Sequence, residues 1–459
     1  MKRCYPYGLL ILALACIAIP VHAADVLPPA EVDRLVKPVV DGKWAMGFVV
    51  GMINEHDRQI IGYGAKSNTD KTVPDGQTVY EIGSVSKTFT ATLLADAVER
   101  GKMKLNDPVQ KYLPAGVKMP VGKDGAQITL LHLTTHTSGL PRMPSNFAPA
   151  DAGNPYADYT LKQMYDILPT LKLAHEPGES CEYSNLGVAL LGNILAAHAG
   201  KDYQALLLDR ICGPLKMQST RIVLDDSMRQ RLAPPFDGDG GPLKNWDLPA
   251  FAGAGGIRSD TDDMLKYVAA EMGTTKTDLA SAIDLTHQRQ HQFDPGNDIA
   301  LGWFISRKQG YLWHNGQTGG YHSFVAFDAG KHVGVVVLCN SAGNIPDLIG
   351  SRIMQRLLGQ PAEAPKLPQA IALSDIILDR YVGEYKLGLL SWLTVKRTGD
   401  HLSARVTGQE AFGIYPLTET EFFWKVVNAR LTFDVDAAGN VKGLTLHQNG
   451  KDIVAEKTK

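Results

Sequence analysis

The sequence has few cysteines, no cluster of basic residues and no apolar segment long enough to cross a bilayer. Only five cysteines occur among 459 residues, and their spacing fits no metal site. The net charge of −2 and the absence of a lysine- and arginine-rich block argue against a nucleic-acid binder. Repeats and low-complexity segments are also missing. With 44% hydrophobic and 20% charged residues, the composition is that of a globular protein with a large core.

The first 23 residues are typical of a secretory signal peptide. Lys2 and Arg3 form a positive start, residues 8–19 are apolar, and residues 21–23 (Val-His-Ala) resemble a cleavage site. The apolar run is too short to span a bilayer. The alternative is a lipoprotein signal ending at Cys16, although the residues before it fit a lipobox poorly. We therefore predict a secreted, periplasmic protein whose mature chain has no transmembrane segment.

Three cysteines, Cys181, Cys212 and Cys339, remain after the predicted signal peptide. An odd number leaves at least one thiol free or paired outside the chain, in a compartment that permits disulfides. We expect buried structural thiols, and the sequence leaves open whether any two of them pair.

Residues 81–90 (Glu-Ile-Gly-Ser-Val-Ser-Lys-Thr-Phe-Thr) predict a turn into a helix, with Ser84 at the helix start and Lys87 one turn on. Residues three apart share a helix face, so the serine hydroxyl and the lysine amine can come within hydrogen-bond reach. A desolvated lysine can take the serine proton, and the free N–H groups of a helix start favour negative charge on a substrate oxygen. Ser-x-x-Lys alone arises by chance in most chains of this length, so the assignment depends on partners downstream.

Two later segments carry suitable partners. Tyr183 and Asn185 lie at a predicted loop-to-helix junction, where a phenol near a lysine can have a lowered pKa and shuttle a proton. Asn185 can donate a hydrogen bond to a substrate carbonyl; alternatively, Tyr183 only packs and Asn185 caps the helix. Residues 314–320 (His-Asn-Gly-Gln-Thr-Gly-Gly) fit a strand whose backbone approaches a ligand and completes an oxyanion hole opposite Ser84.

A metal site is the less favoured interpretation of a histidine pair. His132 and His136 are four residues apart and can share a helix face as zinc ligands. No glutamate lies between them as in the helical zinc-hydrolase motif, and no third ligand is evident. We therefore predict a structural loop there, with neither a metal nor another cofactor.

The pattern of strands and linkers predicts two folded domains. Residues 47–64 read as a hairpin, and residues 323–327 and 333–339 as strong strands. Residues 360–374 are rich in proline and alanine, as in a linker. Short alternating runs follow and predict a small antiparallel β-barrel or sandwich. The predicted divisions are a signal peptide at 1–23, a catalytic domain at 24–359, a linker at 360–374 and a β domain at 375–459.

Ser84-x-x-Lys87, Tyr183-x-Asn185 and His314-Asn315-Gly316, in this order, resemble the motifs of the serine β-lactamase and penicillin-recognising D,D-peptidase superfamily, on the class C β-lactamase and D,D-carboxypeptidase side. The resemblance covers roughly residues 30–357, and residues 133–140 (Leu-Thr-Thr-His-Thr-Ser-Gly-Leu) look like a further landmark. It implies an α/β sandwich: an antiparallel sheet made from both ends of the domain, flanked by helices, with an inserted helical region. More weakly, the C-terminal part resembles a lipocalin-like β domain.

The resemblance also implies a role for each motif residue. Ser84 would be the acylated nucleophile, and Lys87 and Tyr183 would form its base system. The N–H groups of Ser84 and Gln317 would form the oxyanion hole, and Asn185 would bind the substrate amide. His314 and Gly316 would belong to the third motif. Which of Lys87 and Tyr183 takes the first proton is left open.

The third motif departs from the pattern of most such β-lactamases, which have Lys-Thr-Gly there. Lysine supplies a fixed cation for a substrate carboxylate, whereas histidine is mostly neutral at pH 7. If His314 faces that carboxylate, affinity should fall as pH rises from 6 to 8. The expected function is an exported serine hydrolase of D-amino-acid peptides, including peptidoglycan-derived ones, or of β-lactams. The alternatives are a carboxylesterase on the same scaffold and a penicillin-binding or sensor protein with slow turnover.

Overall fold

The structure, a computed structural model, describes residues 26–388, 391–407, 411–448 and 450–458. The predicted signal peptide at 1–23 lies outside these residues. None of the helices within them is long and apolar enough to cross a membrane.

Most of the α-helices lie in the first three quarters of the chain. Those of the described residues are α1 (Pro29–Asp41), α2 (Ser86–Glu99), α3 (Leu130–Thr134), α4 (Leu161–Ile167), α5 (Asn185–His198), α6 (Tyr203–Leu207), α7 (Asp226–Arg231), α8 (Ala252–Gly255), α9 (Thr261–Glu271), α10 (Ala280–Thr286), α11 (Ile345–Leu357) and α12 (Asp375–Arg380).

The strands fall into a large sheet, a two-stranded sheet and a barrel. Their bounds are β1 (Gly47–Ile53), β2 (Arg58–Gly64), β3 (Val79–Glu81), β4 (Arg258–Asp260), β5 (His291–Gln292), β6 (Asn297–Ile299), β7 (Phe304–Ser306), β8 (Leu312–Gln317), β9 (His322–Asp328), β10 (Val333–Cys339), β11 (Gly383–Gly388), β12 (Ser391–Thr398), β13 (His401–Val406), β14 (Phe412–Pro416), β15 (Glu421–Trp424), β16 (Ala429–Val435), β17 (Val441–Gln448) and β18 (Lys451–Lys457).

The large sheet is antiparallel and draws its strands from both ends of the catalytic domain. Its order is β2-β1-β10-β9-β8-β7-β6-β5. The hairpin predicted at 47–64 is confirmed, since β1 pairs with β2 from Gly47 opposite Gly64 onwards. On its other edge β1 pairs with β10, which places Phe48 opposite Cys339. Helices α2 to α8 lie between β3 and β4 in the chain and form the inserted helical region, so the predicted α/β fold is confirmed.

The side chains of β1 belong alternately to two separate cores, because successive residues of a strand point to opposite faces of the sheet. Val49 and Ile53 pack against the helical region, whereas Phe48, Val50 and Met52 pack against α1 and α11. At the centre of the helical region, α2 and α5 are buried along most of their length. Because both helices are buried, the start of α2 and the polar groups beside it are surrounded by protein.

Strands β11 to β18 close an antiparallel barrel, which confirms the predicted C-terminal β domain. One end of its interior is filled by aromatic rings, with Tyr381 stacked on Phe433 at 4.3 Å. The barrel contacts the catalytic domain through Trp44, which stacks on Phe423 at 5.6 Å, and through Asp239, which accepts the Gly413 N–H at 3.0 Å. Residues 360–374 contain neither helix nor strand.

The three cysteines are free thiols. Cys212 and Cys339 are buried, as predicted, and Cys181 is half-buried. Burial raises the pKa of the Cys212 and Cys339 thiols to about 12, which keeps them protonated and unreactive.

Candidate active site

Ser84 lies in a 3₁₀ turn, Gly83–Val85, that runs directly into α2. Its Oγ is 2.9 Å from Nζ of Lys87, so the structure brings together the two residues that the spacing predicted to meet. Ser84 remains partly accessible, whereas Lys87 is only 1% exposed. A reachable hydroxyl thus faces a desolvated amine.

Burial changes the charge state of Lys87. It lowers the pKa of the amine well below its usual value, and the charge of Arg142 lowers it further. Nζ donates a hydrogen bond to the Ala254 carbonyl at 2.6 Å, which fixes the direction of the side chain. The shift favours an unprotonated amine whose lone pair is free for the Ser84 proton.

Tyr183 behaves differently from the prediction. Its ring centroid lies 4.9 Å from Nζ of Lys87, so the two groups are brought together. The expected lowering of the phenol pKa is nevertheless wrong: burial raises it to about 12, and a hydrogen bond with Ser84 offsets only part of that rise. An anionic phenolate is penalised by burial more than the charge of Arg142 stabilises it. Tyr183 is therefore a protonated phenol at neutral pH.

His136 holds Tyr183 in place, a role that the sequence did not reveal. Its carbonyl accepts the N–H of Glu182 at 2.8 Å, and its Nδ1 accepts the N–H of Ser184 at 3.2 Å. The imidazole itself packs on the Tyr183 ring at 4.3 Å. Burial lowers the pKa of this histidine well below its usual value, so the ring stays neutral and Nδ1 stays an acceptor. The left-handed backbone of His136, with φ 60°, allows both contacts at once.

The third motif lies on β8, against the turn that carries Ser84. A side chain on Gly316 would meet the Ile82 carbonyl at 2.0 Å and the Ser84 nitrogen at 2.8 Å. A side chain on Gly83, whose φ is +51°, would meet the Gln317 nitrogen at 2.6 Å. Both positions therefore require glycine, because the two backbones are in direct contact.

The backbone nitrogen of Gln317 lies beside Gly83, in the turn that carries Ser84. The Thr318 N–H is bonded to the Tyr321 carbonyl at 3.0 Å, which closes the turn between β8 and β9. In an antiparallel ladder the next N–H along the strand points to the opposite edge. For Gln317 that edge is the one beside Gly83, so an N–H directed to the turn of Ser84 is what the ladder geometry predicts.

His314 is buried, with 1% exposure, and Nδ1 hydrogen-bonds the Asn315 carbonyl. Burial, helped by the neighbouring Lys87, lowers its pKa to about 3. Without substrate the ring is therefore neutral at pH 6, which argues against the expectation that His314 becomes a cation for a substrate carboxylate between pH 6 and pH 8. It lies near Tyr183, with ring centroids 6.5 Å apart, and offers a neutral imidazole to the site.

Asn185 borders the opening at Ser84, and an exposed arginine lies behind it, over Tyr183. Asn185 is the first residue of α5; Ser184, rather than Asn185, caps the helix by accepting the Gly187 N–H at 2.9 Å. The backbone N–H of Asn185 is bonded to the Arg142 carbonyl at 3.0 Å. The Arg142 guanidinium lies 5.0 Å from the Tyr183 ring centroid, and within the described residues no carboxylate forms an ion pair with it. The site thus has an exposed cation that the sequence analysis missed.

Aromatic side chains line the remainder of the cleft. Tyr156 packs on Trp246 at 5.4 Å and on Phe251 at 5.2 Å, and all three border the opening at Ser84. An apolar wall with a few converging polar groups is the usual composition of a small-molecule site.

The histidine pair shows no geometry for a metal. Nδ1 of His132 accepts the Thr129 N–H at 3.2 Å, and Nδ1 of His136 is occupied by Ser184. In the part of the chain that the structure describes, no group of three or more histidine, cysteine or acidic residues is placed to hold a metal ion.

Ser84 and Lys87 are held 2.9 Å apart at a helix start beside an antiparallel sheet, an arrangement in which an amine can activate a hydroxyl. The β-lactamase family model matches residues 32–359, and a model described as a domain of unknown function (DUF3471) matches residues 367–457. The chain belongs to the β-lactamase family.

Relatives with established names support the same assignment. The chain is 31% identical to the D-alanyl-D-alanine-carboxypeptidase/endopeptidase AmpH of Escherichia coli K12, over 74% of this chain and 91% of that protein. It is 30% identical to a β-lactamase of Pseudomonas fluorescens, over 67% of this chain and 92% of that one. The octameric penicillin-binding protein homologue from Pyrococcus abyssi shares the fold over 94% of this chain and all of its own, with a TM-score of 0.65 and 22% identity.

Proposed function

We propose that this protein is an exported hydrolase that forms an acyl-enzyme at Ser84 and acts on D-amino-acid peptides or β-lactams. The observation that carries the proposal is the 2.9 Å approach of a buried Lys87 amine to an accessible Ser84 hydroxyl. A neutral amine at this distance is a suitable general base for a serine nucleophile.

The charge states suggest how the proton moves. Lys87 takes the proton of Ser84 as Oγ attacks the substrate carbonyl, and the oxyanion is held by the N–H groups of Ser84 and Gln317. Tyr183, which keeps its proton at neutral pH, passes a proton to the leaving group and regains one from Lys87. The bond to the leaving group then breaks. Water next attacks the acyl carbon and gives up its proton by the same path, which releases the acid and restores Ser84.

The substrate class rests on the relatives and on two features of the site. The names of the relatives include a D-alanyl-D-alanine carboxypeptidase and a β-lactamase, and both kinds of substrate carry a carbonyl and a carboxylate. Asn185 borders the cleft, where it can hold a substrate amide. Arg142, exposed at the cleft, offers the positive charge that His314 does not supply.

A carboxylesterase is the second candidate. The observation that favours it is the neutral, buried His314 at the third-motif position, together with the aromatic wall of the cleft. An uncharged ester needs the nucleophile and the oxyanion hole but no cation. A third outcome, a penicillin-binding or sensor protein, would use the same acylation step with slow release of the acyl group.

One panel separates these functions. The wild-type protein is tested on a chromogenic cephalosporin, a short-chain p-nitrophenyl ester and a D-Ala-D-Ala peptide, beside Ser84→Ala. Ser227→Ala, at an exposed serine of α7, is the matched control. We expect turnover and labelling by a fluorescent penicillin in the wild type and control, and neither in Ser84→Ala. Labelling that survives Ser84→Ala and maps to another serine would contradict the assignment, and a lasting adduct without product would identify a sensor.

Export is part of the proposal and has its own test. Residues 1–23 have the composition of a cleavable signal. In a host with two membranes, we expect the mature chain in the periplasmic fraction with Ala24 at its N-terminus. An uncleaved N-terminus in the cytoplasmic fraction would refute this part alone.

A further inference from the structure

The open end of the C-terminal barrel lies beside the catalytic cleft, and Gln317 borders both. Gln317 lines the opening at Ser84 together with Asn185 and Trp246. It also lines a second cavity, of about 200 Å³, that it shares with Ala342 and with the barrel. The side chain of Gln317 is exposed, so it separates the two spaces without sealing either.

The second cavity lies inside the barrel, at one end of its interior. Along β16, Ala429 lines the cavity at one end, while Phe433 packs into the aromatic cluster at the other. The barrel is therefore filled at the Phe433 end and left open at the end that faces the catalytic domain. Because this end is open, its apolar lining is accessible to an apolar group of a ligand.

The lining of this cavity is apolar and uncharged. From the barrel it receives Ala404, Val406, Phe412, Trp424, Val426 and Leu446 among others, with Gln448 and Gln317 as polar groups at its border. Acids and bases are absent from the described residues that line it. Such a surface binds hydrocarbon through the hydrophobic effect and disfavours charged groups.

We propose that the barrel cavity binds an apolar group of the substrate whose carbonyl reacts at Ser84. An apolar cavity of about 150 Å³ admits benzene, so this space suits an aliphatic or aromatic group of about six to eight carbon atoms. The group is carried on the acyl side or on the leaving-group side of the scissile bond. The inference rests on the proposed acylation of Ser84, and it makes the barrel a determinant of substrate choice.

Two ester series test the proposal with the full-length protein. One series is p-nitrophenyl acetate to p-nitrophenyl decanoate, which lengthens the acyl side. The other is acetate esters of ethanol to decanol, which lengthens the leaving group. On the side that enters the barrel, we expect kcat/KM to rise by up to about fourfold for each methylene buried, then to level off near eight carbons. A flat profile in both series would overturn the proposal.

Variants inside the barrel locate the effect. Ala429→Phe fills the cavity and should remove the gain with chain length while leaving acetate hydrolysis unchanged. Its control is Ala438→Phe, at an exposed turn outside the cavity, which should retain the gain. Phe412→Ala enlarges the space and should shift the optimum to longer chains. If Ala429→Phe does not fold, Phe412→Ala still tests whether the cavity binds the substrate.

The outcomes distinguish a failure of the barrel proposal from a failure of the proposed function at Ser84. If Ala429→Phe folds and keeps the wild-type chain-length profile, or if Phe412→Ala leaves the optimum in place, the barrel does not bind the substrate. Acetate hydrolysis that is lost in Ser84→Ala would still support the proposed function in that case. If acetate hydrolysis does not depend on Ser84, the proposed function itself fails.

Discussion

The imidazole of His136 packs 4.3 Å from the phenol ring of Tyr183, and His136 bonds the backbone on both sides of that tyrosine. The position of the phenol is thus set by a residue from a different segment of the chain. A neutral, buried imidazole suits this role because it packs as a ring and accepts an N–H at the same time.

His136→Ala should therefore impair the site without removing a group that reacts. We expect the free energy of unfolding to fall by about 2 kcal/mol, because the buried N–H of Ser184 loses its acceptor. We also expect kcat for a short-chain ester to fall by at least about tenfold with little change in KM, because the phenol is displaced. Urea unfolding and steady-state kinetics measure the two effects.

A conservative variant distinguishes positioning from a general loss of stability. His136→Asn tolerates the left-handed backbone and keeps an acceptor, so it should recover most of kcat. His132→Ala, which removes only a helix-capping group, is the matched control and should keep kcat. Equal losses in the Ala and Asn variants at position 136 would contradict the positioning role.

Lys87 should make the stability of the protein depend on pH. The unfolded lysine binds a proton up to about pH 10.5, whereas the folded amine has a lowered pKa and loses its proton earlier. Stability therefore rises with pH between the two pKa values, by up to about 1.4 kcal/mol per pH unit. Lys87→Met removes this dependence. We expect Lys87→Met to have the larger free energy of unfolding at pH 7. The difference from the wild type should shrink from pH 7 to pH 9, as measured by urea unfolding.

Lys308→Met, at an exposed lysine, serves as the control and should follow the wild-type curve. If Lys87→Met and the wild type keep a constant difference across this pH range, the folded amine is charged. The proposed general base would then be wrong.

His314 should contribute no pH dependence to the recognition of a carboxylate. Because burial lowers its pKa to about 3, the ring is neutral throughout the range from pH 6 to pH 8. We expect KM for a D-Ala-D-Ala peptide, relative to KM for an uncharged ester, to stay constant over that range. A relative rise in KM with a midpoint near the ordinary histidine pKa of about 6.5 would show that His314 is protonated when substrate binds.

Arg142 is instead the residue expected to recognise a carboxylate. Arg142→Gln should raise KM for the peptide by up to about fivefold, the scale of an exposed ion pair, with little change for the ester. Arg142→Lys should recover part of the loss, since it restores the charge but not the planar guanidinium. Arg229→Gln, at an exposed arginine of α7, is the control. Equal effects on both substrates would assign Arg142 to the packing of Tyr183 alone.

The sequence predicted long, strongly patterned elements better than short or exposed ones. The β1–β2 hairpin, β9 and β10 were evident because their apolar residues are consecutive or alternate. Strands β5 to β7 have two or three residues each and carry too little pattern to be recognised. Strand β18 was also missed, since Ile453 and Val454 are exposed and its pairing is set by closure of the barrel.

The distance along the sequence between interacting residues explains which parts of the site could be predicted. Ser84 and Lys87 are brought together by one helical turn, which a local rule describes. The charge states of Tyr183 and His314 were not predictable, because they depend on burial by segments that are distant in the chain. His136 was predicted to lie in a structural loop, but its role in placing Tyr183 was not, since its two backbone contacts exist only in the folded protein.

The pairing of β1 with β10 has a consequence for the order in which the protein can fold. The β1–β2 hairpin leaves the ribosome early, and a two-stranded hairpin is at best marginally stable in water. Its second partner, Val333–Cys339, is synthesised only after the whole helical region and β8. The centre of the sheet therefore closes late during synthesis. A nascent chain has no complete candidate site until almost the entire catalytic domain has been made. A fragment that stops short of β10 lacks the strand that joins its two ends.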